Sequence, residues 1–206
     1  MRCAPVRRLA RVLALVAAPA AATGEVVIDP PAPGSVSRAE GLAAWDRIYE
    51  VASHPRCANC HVGASDVPMW SGPGYGRTRP HGMAVRAGDS RIGAETIPCR
   101  TCHVTSRTGG IDRPHAAPQV ADAWRLAPPE AAWFGRSSDQ ICAQLRDPAR
   151  TDGRTALQIA EHLGHDVILH WAWTPGSGRE PAPYSLQEHV NDVLAWGVAG
   201  QPCAFD

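Results

Sequence analysis

Two copies of one five-residue arrangement constrain this chain more than any other feature. Cys57-Ala58-Asn59-Cys60-His61, within "HPRCANCHV", and Cys99-Arg100-Thr101-Cys102-His103, within "IPCRTCHV", each place two cysteines three positions apart and follow the second with histidine. The fold must present both units, and it must do so with much irregular backbone. Gly and Pro number 19 each in 206 residues, a share that favours turns and loops over long regular elements. The stretch between the units, residues 62 to 98, carries seven glycines and four prolines and is expected to be mostly loop that wraps whatever the units hold.

Thiol redox, zinc binding and covalent haem attachment all use closely spaced cysteines. A thioredoxin-like site needs a strand leading into the cysteines, and neither unit follows a Val/Ile-rich run. A four-thiolate zinc site leaves both histidines unexplained, and the 38 residues between the cysteine pairs exceed the roughly 15 to 20 usual for such sites. Covalent haem uses all five positions. Two sulfurs on one turn reach the two vinyl groups of a porphyrin edge, and the following histidine points its imidazole at the iron.

The chain therefore resembles a dihaem c-type cytochrome with two covalently bound haem c groups, Cys57, Cys60 and His61 serving one and Cys99, Cys102 and His103 the other. The resemblance implies a mainly α fold with extensive irregular loops, multihaem cytochrome c-like, in which the haems form much of the core. The phrases "WRLAPPEAAWFG", "ICAQLRDP" and "HWAWTPGSGREPAP" add a likeness to short exported haem proteins labelled as an isoquinoline 1-oxidoreductase subunit. That likeness covers residues 45 to 203 and implies a role as electron acceptor for a molybdenum hydroxylase-type dehydrogenase.

The first residues agree with an oxidising compartment. Four arginines (Arg2, Arg7, Arg8, Arg11), an apolar run from Val12 to Ala22 and then small residues have the form of a secretory signal peptide cleaved near Ala22. The run is shorter than the roughly 20 residues a spanning helix needs, so the expected location is the periplasm, without stable membrane insertion. Loss of residues 1 to 22 removes four of 20 basic residues and no acid, and the chain has no lysine. A weakly acidic chain without a basic block gives no reason to expect nucleic acid as a partner. Transient protein redox partners are the better expectation.

With Cys3 lost and four cysteines given to haem, Cys142 and Cys203 remain. They are expected to form a disulfide in an exported chain. The second axial positions on the irons decide between an electron carrier and an enzyme. His81, in "RPHGMAV", is expected to fold back over the first haem, with Met83 as its rival, and His115, in "DRPHAAP", follows the second motif. His54, Met69 and the pair His162 and His165 are further candidates. Arg56, Arg77, Arg79 and Arg100 are placed to meet haem propionates.

Residues 23 to 36 read as a Pro-rich tether, 37 to 135 as the dihaem-binding region and 136 to 206 as a C-terminal helical region packed on it. Helices are expected at 37 to 52, where Ser37 and Glu40 form a capping box, and in "SSDQICAQLRDP", "TALQIAEHLGH" and "SLQEHVNDVLAWGV". Trp171, Trp173 and Trp196 are candidates for haem packing or for plain core. The expected activity is one-electron transfer. The alternatives are a peroxidase-like enzyme with one open iron position, and a haem-based sensor or assembly subunit.

Overall fold

Four sequence signals of one type start the four longest helices. Ser37, Ser137, Thr155 and Ser185 each cap a helix whose third residue, Glu40, Gln140, Gln158 or Glu188, reaches back to the cap backbone. Each capping box satisfies two amide donors that a helix start otherwise leaves without partners. In the computed structural model, which describes residues 25–71, 77–105, 117–176 and 179–206, these helices are α1 (Arg38–Ser53), α3 (Ser138–Arg146), α5 (Ala156–His165) and α7 (Leu186–Val198). Three one-turn helices complete the set: α2 (Pro55–Ala58), α4 (Pro148–Thr151) and α6 (Val167–Trp171). Helices α4 and α6 were not expected from periodicity. Asp147 and Asp166 start them by accepting amide hydrogens from Ala149 and from Ile168 and Leu169.

The apolar stripe of α1 (Ala44, Trp45, Ile48, Ala52) is buried against α7, α5 and α3 in one core with Ile141, Ala160, Val190, Val193, Leu194 and Trp196. Trp45 and Trp196 meet at 5.4 Å. Their indole nitrogens donate to Ser138 Oγ at 2.8 Å and to the Pro202 carbonyl at 3.0 Å, so both buried polar groups have partners. Helix α7 approaches α5 closely because Gly197 has no side chain: a Cβ there would stand 2.5 Å from that of Ala156. Asp192, 7% exposed, is held by Arg47 through Nε at 3.0 Å and Nη2 at 2.5 Å. Cys142 and Cys203 form a disulfide with Cα atoms 6.0 Å apart, 61 positions apart in the chain.

Helix α1 precedes the first cysteine unit, and its apolar face packs on α7. Residues 25 to 36 are extended. Val26 and Ile28 pack against the core, and Gln187 on α7 exchanges two hydrogen bonds with Val27.

The described residues 62–71, 77–105 and 117–135 lie outside the long helices, mostly in turns. Among them the regular pieces are three short 3-10 turns and a two-strand antiparallel ladder, β1 (Met69–Trp70) with β2 (Arg79–Pro80), pairing Met69 with Pro80 and Trp70 with Arg79. Among the described residues no helix is long and apolar enough to cross a membrane.

His189 on α7 is 6% exposed; its Nδ1 has no hydrogen-bond partner, and its ring lies 5.7 Å from that of Trp173. Burial pushes its pKa down from 6.5 to about 4. The unfolded chain therefore takes up this proton first as pH falls, and the stability present above pH 6.5 is lost progressively toward pH 4. His189→Leu is expected to cancel about 2 kcal/mol of the loss between pH 7 and pH 5. Denaturant unfolding at the two pH values measures it, and equal losses in wild type and variant would contradict it.

Candidate metal and cofactor centre

The two cysteine units share one local geometry. In the first, His54 ends α1 and starts α2, its Nδ1 accepting from the Arg56 amide at 3.3 Å. This capping role, set by Pro55 at the first helical position, occupies one face of the His54 ring. Cys57 and Cys60 lie on consecutive turns, with the Cys60 amide donating to the Cys57 carbonyl at 3.1 Å and the His61 amide donating to the same carbonyl at 3.3 Å. In the second unit Pro98 leads into the turn Cys99–Thr101. There the amides of Cys102 and His103 donate to the Cys99 carbonyl at 3.2 and 2.9 Å. Each unit thus closes a tight turn in which the amides of the second cysteine and of the histidine both donate to the carbonyl of the first cysteine.

Both histidines are then fixed in the same manner from elsewhere in the chain. His61 Nδ1 lies 3.0 Å from the Ala131 carbonyl, and its ring stacks on Trp133 at 3.5 Å and 4°. The amides of Trp133 and Phe134 donate to the His61 carbonyl at 2.8 and 3.0 Å. Gln144 on α3 holds this clamp by hydrogen bonds to both the amide and the carbonyl of Ala132. Gly63 makes room for it: at φ +67° a Cβ would come within 2.8 Å of Ala132. His103 Nδ1 lies 3.2 Å from the Pro118 carbonyl, and its ring stacks on Trp124 at 4.3 Å and 11°. A carbonyl can only accept, so each Nδ1 carries the proton and each Nε2 keeps its lone pair. Burial pushes both imidazoles down to about 4; for His103 the neighbouring His81 adds to the effect. Both rings are neutral at pH 7, the form that binds metal.

A cavity of about 310 Å³ lies between the units. Cys60, Cys99, Cys102 and His103 line it, together with Trp124, Trp171 and Arg56. Cys57 and His61 stand behind its wall. Burial pushes the thiols of Cys57 and Cys60 up to about 12 and 11, and raises that of Cys99. Among the described residues no three His, Cys, Asp or Glu side chains converge as a ready metal site.

The remaining sequence candidates separate. The His81 ring lies 6.3 Å from that of His103, and it lines the cavity together with Cys60 of the first unit and Cys99 and Cys102 of the second. Met83 is 75% exposed. His115 lies outside the described residues. His162 is on α5, near enough to depress the His61 pKa slightly, and its Nδ1 is 3.9 Å from Asp166. The His165 ring pairs with the Glu161 carbonyl at 2.7 Å. Arg56 and Arg179 sit 5.3 and 5.8 Å from the Trp171 ring at the cavity, Arg79 stacks on Trp70 at 5.2 Å, and Arg77 and Arg100 are exposed. Trp196 is core, while Trp171 lines the cavity.

Trp124 and Trp133 were not singled out from sequence. Their only signal is their setting, two large aromatic residues isolated in a Pro- and Ala-rich irregular stretch with no helical periodicity to bury them. Comparisons of this chain with protein-family models, with curated proteins and with solved structures each returned no match.

Proposed function

We propose that this chain is a periplasmic dihaem c-type cytochrome that passes single electrons between protein redox partners. One observation carries the reading. Twice over, a cysteine pair on one turn is followed by a neutral histidine whose Nδ1 is tied to a backbone carbonyl, whose ring is stacked on tryptophan and whose Nε2 is left to bind a metal. That is the donor set of covalent haem. When bound, haem supplies reversible exchange between Fe(III) and Fe(II).

The protein's own residues have defined tasks in this reading. Cys57, Cys60, Cys99 and Cys102 fix the porphyrin edges. His61 and His103 are the iron-facing imidazoles, and the carbonyls of Ala131 and Pro118 set their tautomer and basicity, as outer-shell partners of metal-binding histidines do. Trp133 and Trp124 restrict ring rotation. Arg56, expected from sequence in this role, and Arg179 lie at the cavity beside Trp171 and would meet the haem carboxylates. The second unit, with His103 and both cysteines on the cavity wall, fits the group more directly than the first.

The compartment rests on residues 1 to 22, which lie outside the described residues. The likeness to isoquinoline 1-oxidoreductase subunits suggests a molybdenum hydroxylase-type dehydrogenase as electron donor. The test is a redox titration followed by absorption spectroscopy on protein matured with a cytochrome c assembly system. Two haems per chain that survive denaturation are expected, and protein without covalent haem would overturn the reading.

A further inference from the structure

We propose that His81 is the second axial ligand of the iron bound by His103, so that the haem on Cys99 and Cys102 is held between two imidazoles. This rests on the haem reading above and adds to it the coordination state of one particular iron.

The geometry points there from both sides. Two imidazoles on opposite faces of one metal, each nitrogen about 2 Å from it, have ring centres roughly 6 Å apart. The rings of His81 and His103 are 6.3 Å apart, inclined at 48°, and both line the cavity that Cys99 and Cys102 face. His81 Nδ1 lies 2.9 Å from the Gly82 carbonyl, so its proton is on Nδ1 and its Nε2 lone pair is available, as in His103. Ligation is then donation of that lone pair to iron, with no proton released and no electron transferred.

The loop that presents His81 is built on the other attachment site. The Met69 amide donates to the Asn59 carbonyl at 2.9 Å and Ser71 Oγ to Asn59 Oδ1 at 2.7 Å. Asn59, 8% exposed, is the residue before Cys60 in the first unit. From that anchor β1 pairs with β2, and the His81 amide closes the loop on the Pro68 carbonyl at 2.9 Å. The first attachment turn therefore holds the arm that completes the second iron. Met83, two residues on at φ +62°, is 75% exposed but also borders the cavity, so it is the rival that the test must separate from His81.

The consequence is that the second iron has no open position for peroxide or another small ligand, and serves electron transfer alone. The test uses full-length protein carrying covalent haem, with His81→Ala and His81→Met compared by haem count, ferric absorption spectra, EPR and potential. In wild type the haem bound at Cys99 and Cys102 should be low-spin. His81→Ala should retain two haems per chain and convert one iron to high-spin, reversed by added imidazole. His81→Met should keep that iron low-spin and raise its potential, since thioether ligation favours the reduced state. An unchanged spectrum in His81→Ala overturns the assignment, as does a high-spin conversion produced by Met83→Leu or His115→Ala instead. Loss of that haem in both His81 variants counts against it too. Absence of covalent haem from wild type overturns the underlying reading rather than the ligand assignment.

Discussion

A Cys99→Ala, Cys102→Ala double variant is expected to carry one covalent haem where the wild-type chain carries two, with the helical circular dichroism retained. The expectation follows from where the second unit sits. Cys99 is half-buried and Cys102 exposed, and both lie on a loop whose nearest ties run to Ile92, Pro118 and Trp124 rather than to α1, α3, α5 or α7. The helical core is closed without them. The corresponding change in the first unit is a different experiment. Cys57 and Cys60 are half-buried in the turn that follows α1, and the following His61 carbonyl accepts the amides of Trp133 and Phe134, so Cys57→Ala, Cys60→Ala should reduce both haem content and thermal stability. Denatured-haem absorption per chain measures the count, and two haems retained by the Cys99→Ala, Cys102→Ala protein would remove that unit from the proposal.

What could be seen in the sequence was what acts over a few residues. The attachment units, the four capping boxes and the amphipathic spacing of α1 and α7 are local patterns, and the structure contains those helices within a residue or two of the expected ends. The disulfide followed from counting cysteines. Contacts across the chain were not legible. Trp133 reaches His61 and Gln144 reaches Ala132 through an irregular segment, for which no periodicity says which face is buried. His81 lies about midway between the two units in sequence, and nothing there tells which one it faces. The short ladder of β1 and β2, two residues each and anchored on Asn59, decides it.

Removal of the disulfide should have the largest effect on stability. Cys142→Ala with Cys203→Ala is expected to lose about 4 kcal/mol, mainly because the unfolded chain regains the freedom of a loop spanning more than sixty residues. Both sulfurs are fully buried in the core beside Trp196 and Pro202, so lost packing adds to the entropy. The other ties of the C-terminus do not compensate. Asp206 receives Arg146 at 2.6 and 2.9 Å and Arg38 at 3.7 Å, all at the surface, where an ion pair contributes at most about 1 kcal/mol. The Cys203 amide bond to Asp206 at 2.9 Å depends on the same mobile end. The loss should also reach the first haem site before the second. Helix α3 carries both Cys142 and Gln144, and Gln144 holds the Ala132 backbone that positions Trp133 against His61, whereas the His103 and Trp124 pair has no such link to α3. Denaturant unfolding of wild type under reducing conditions should therefore give a midpoint well below that of the oxidised protein, and the double variant, which also loses the sulfur packing, a lower one still, with the His61 haem perturbed at lower denaturant. A midpoint shift equivalent to less than about 1 kcal/mol would mean that packing around α3, and not the covalent link, holds the C-terminus in place.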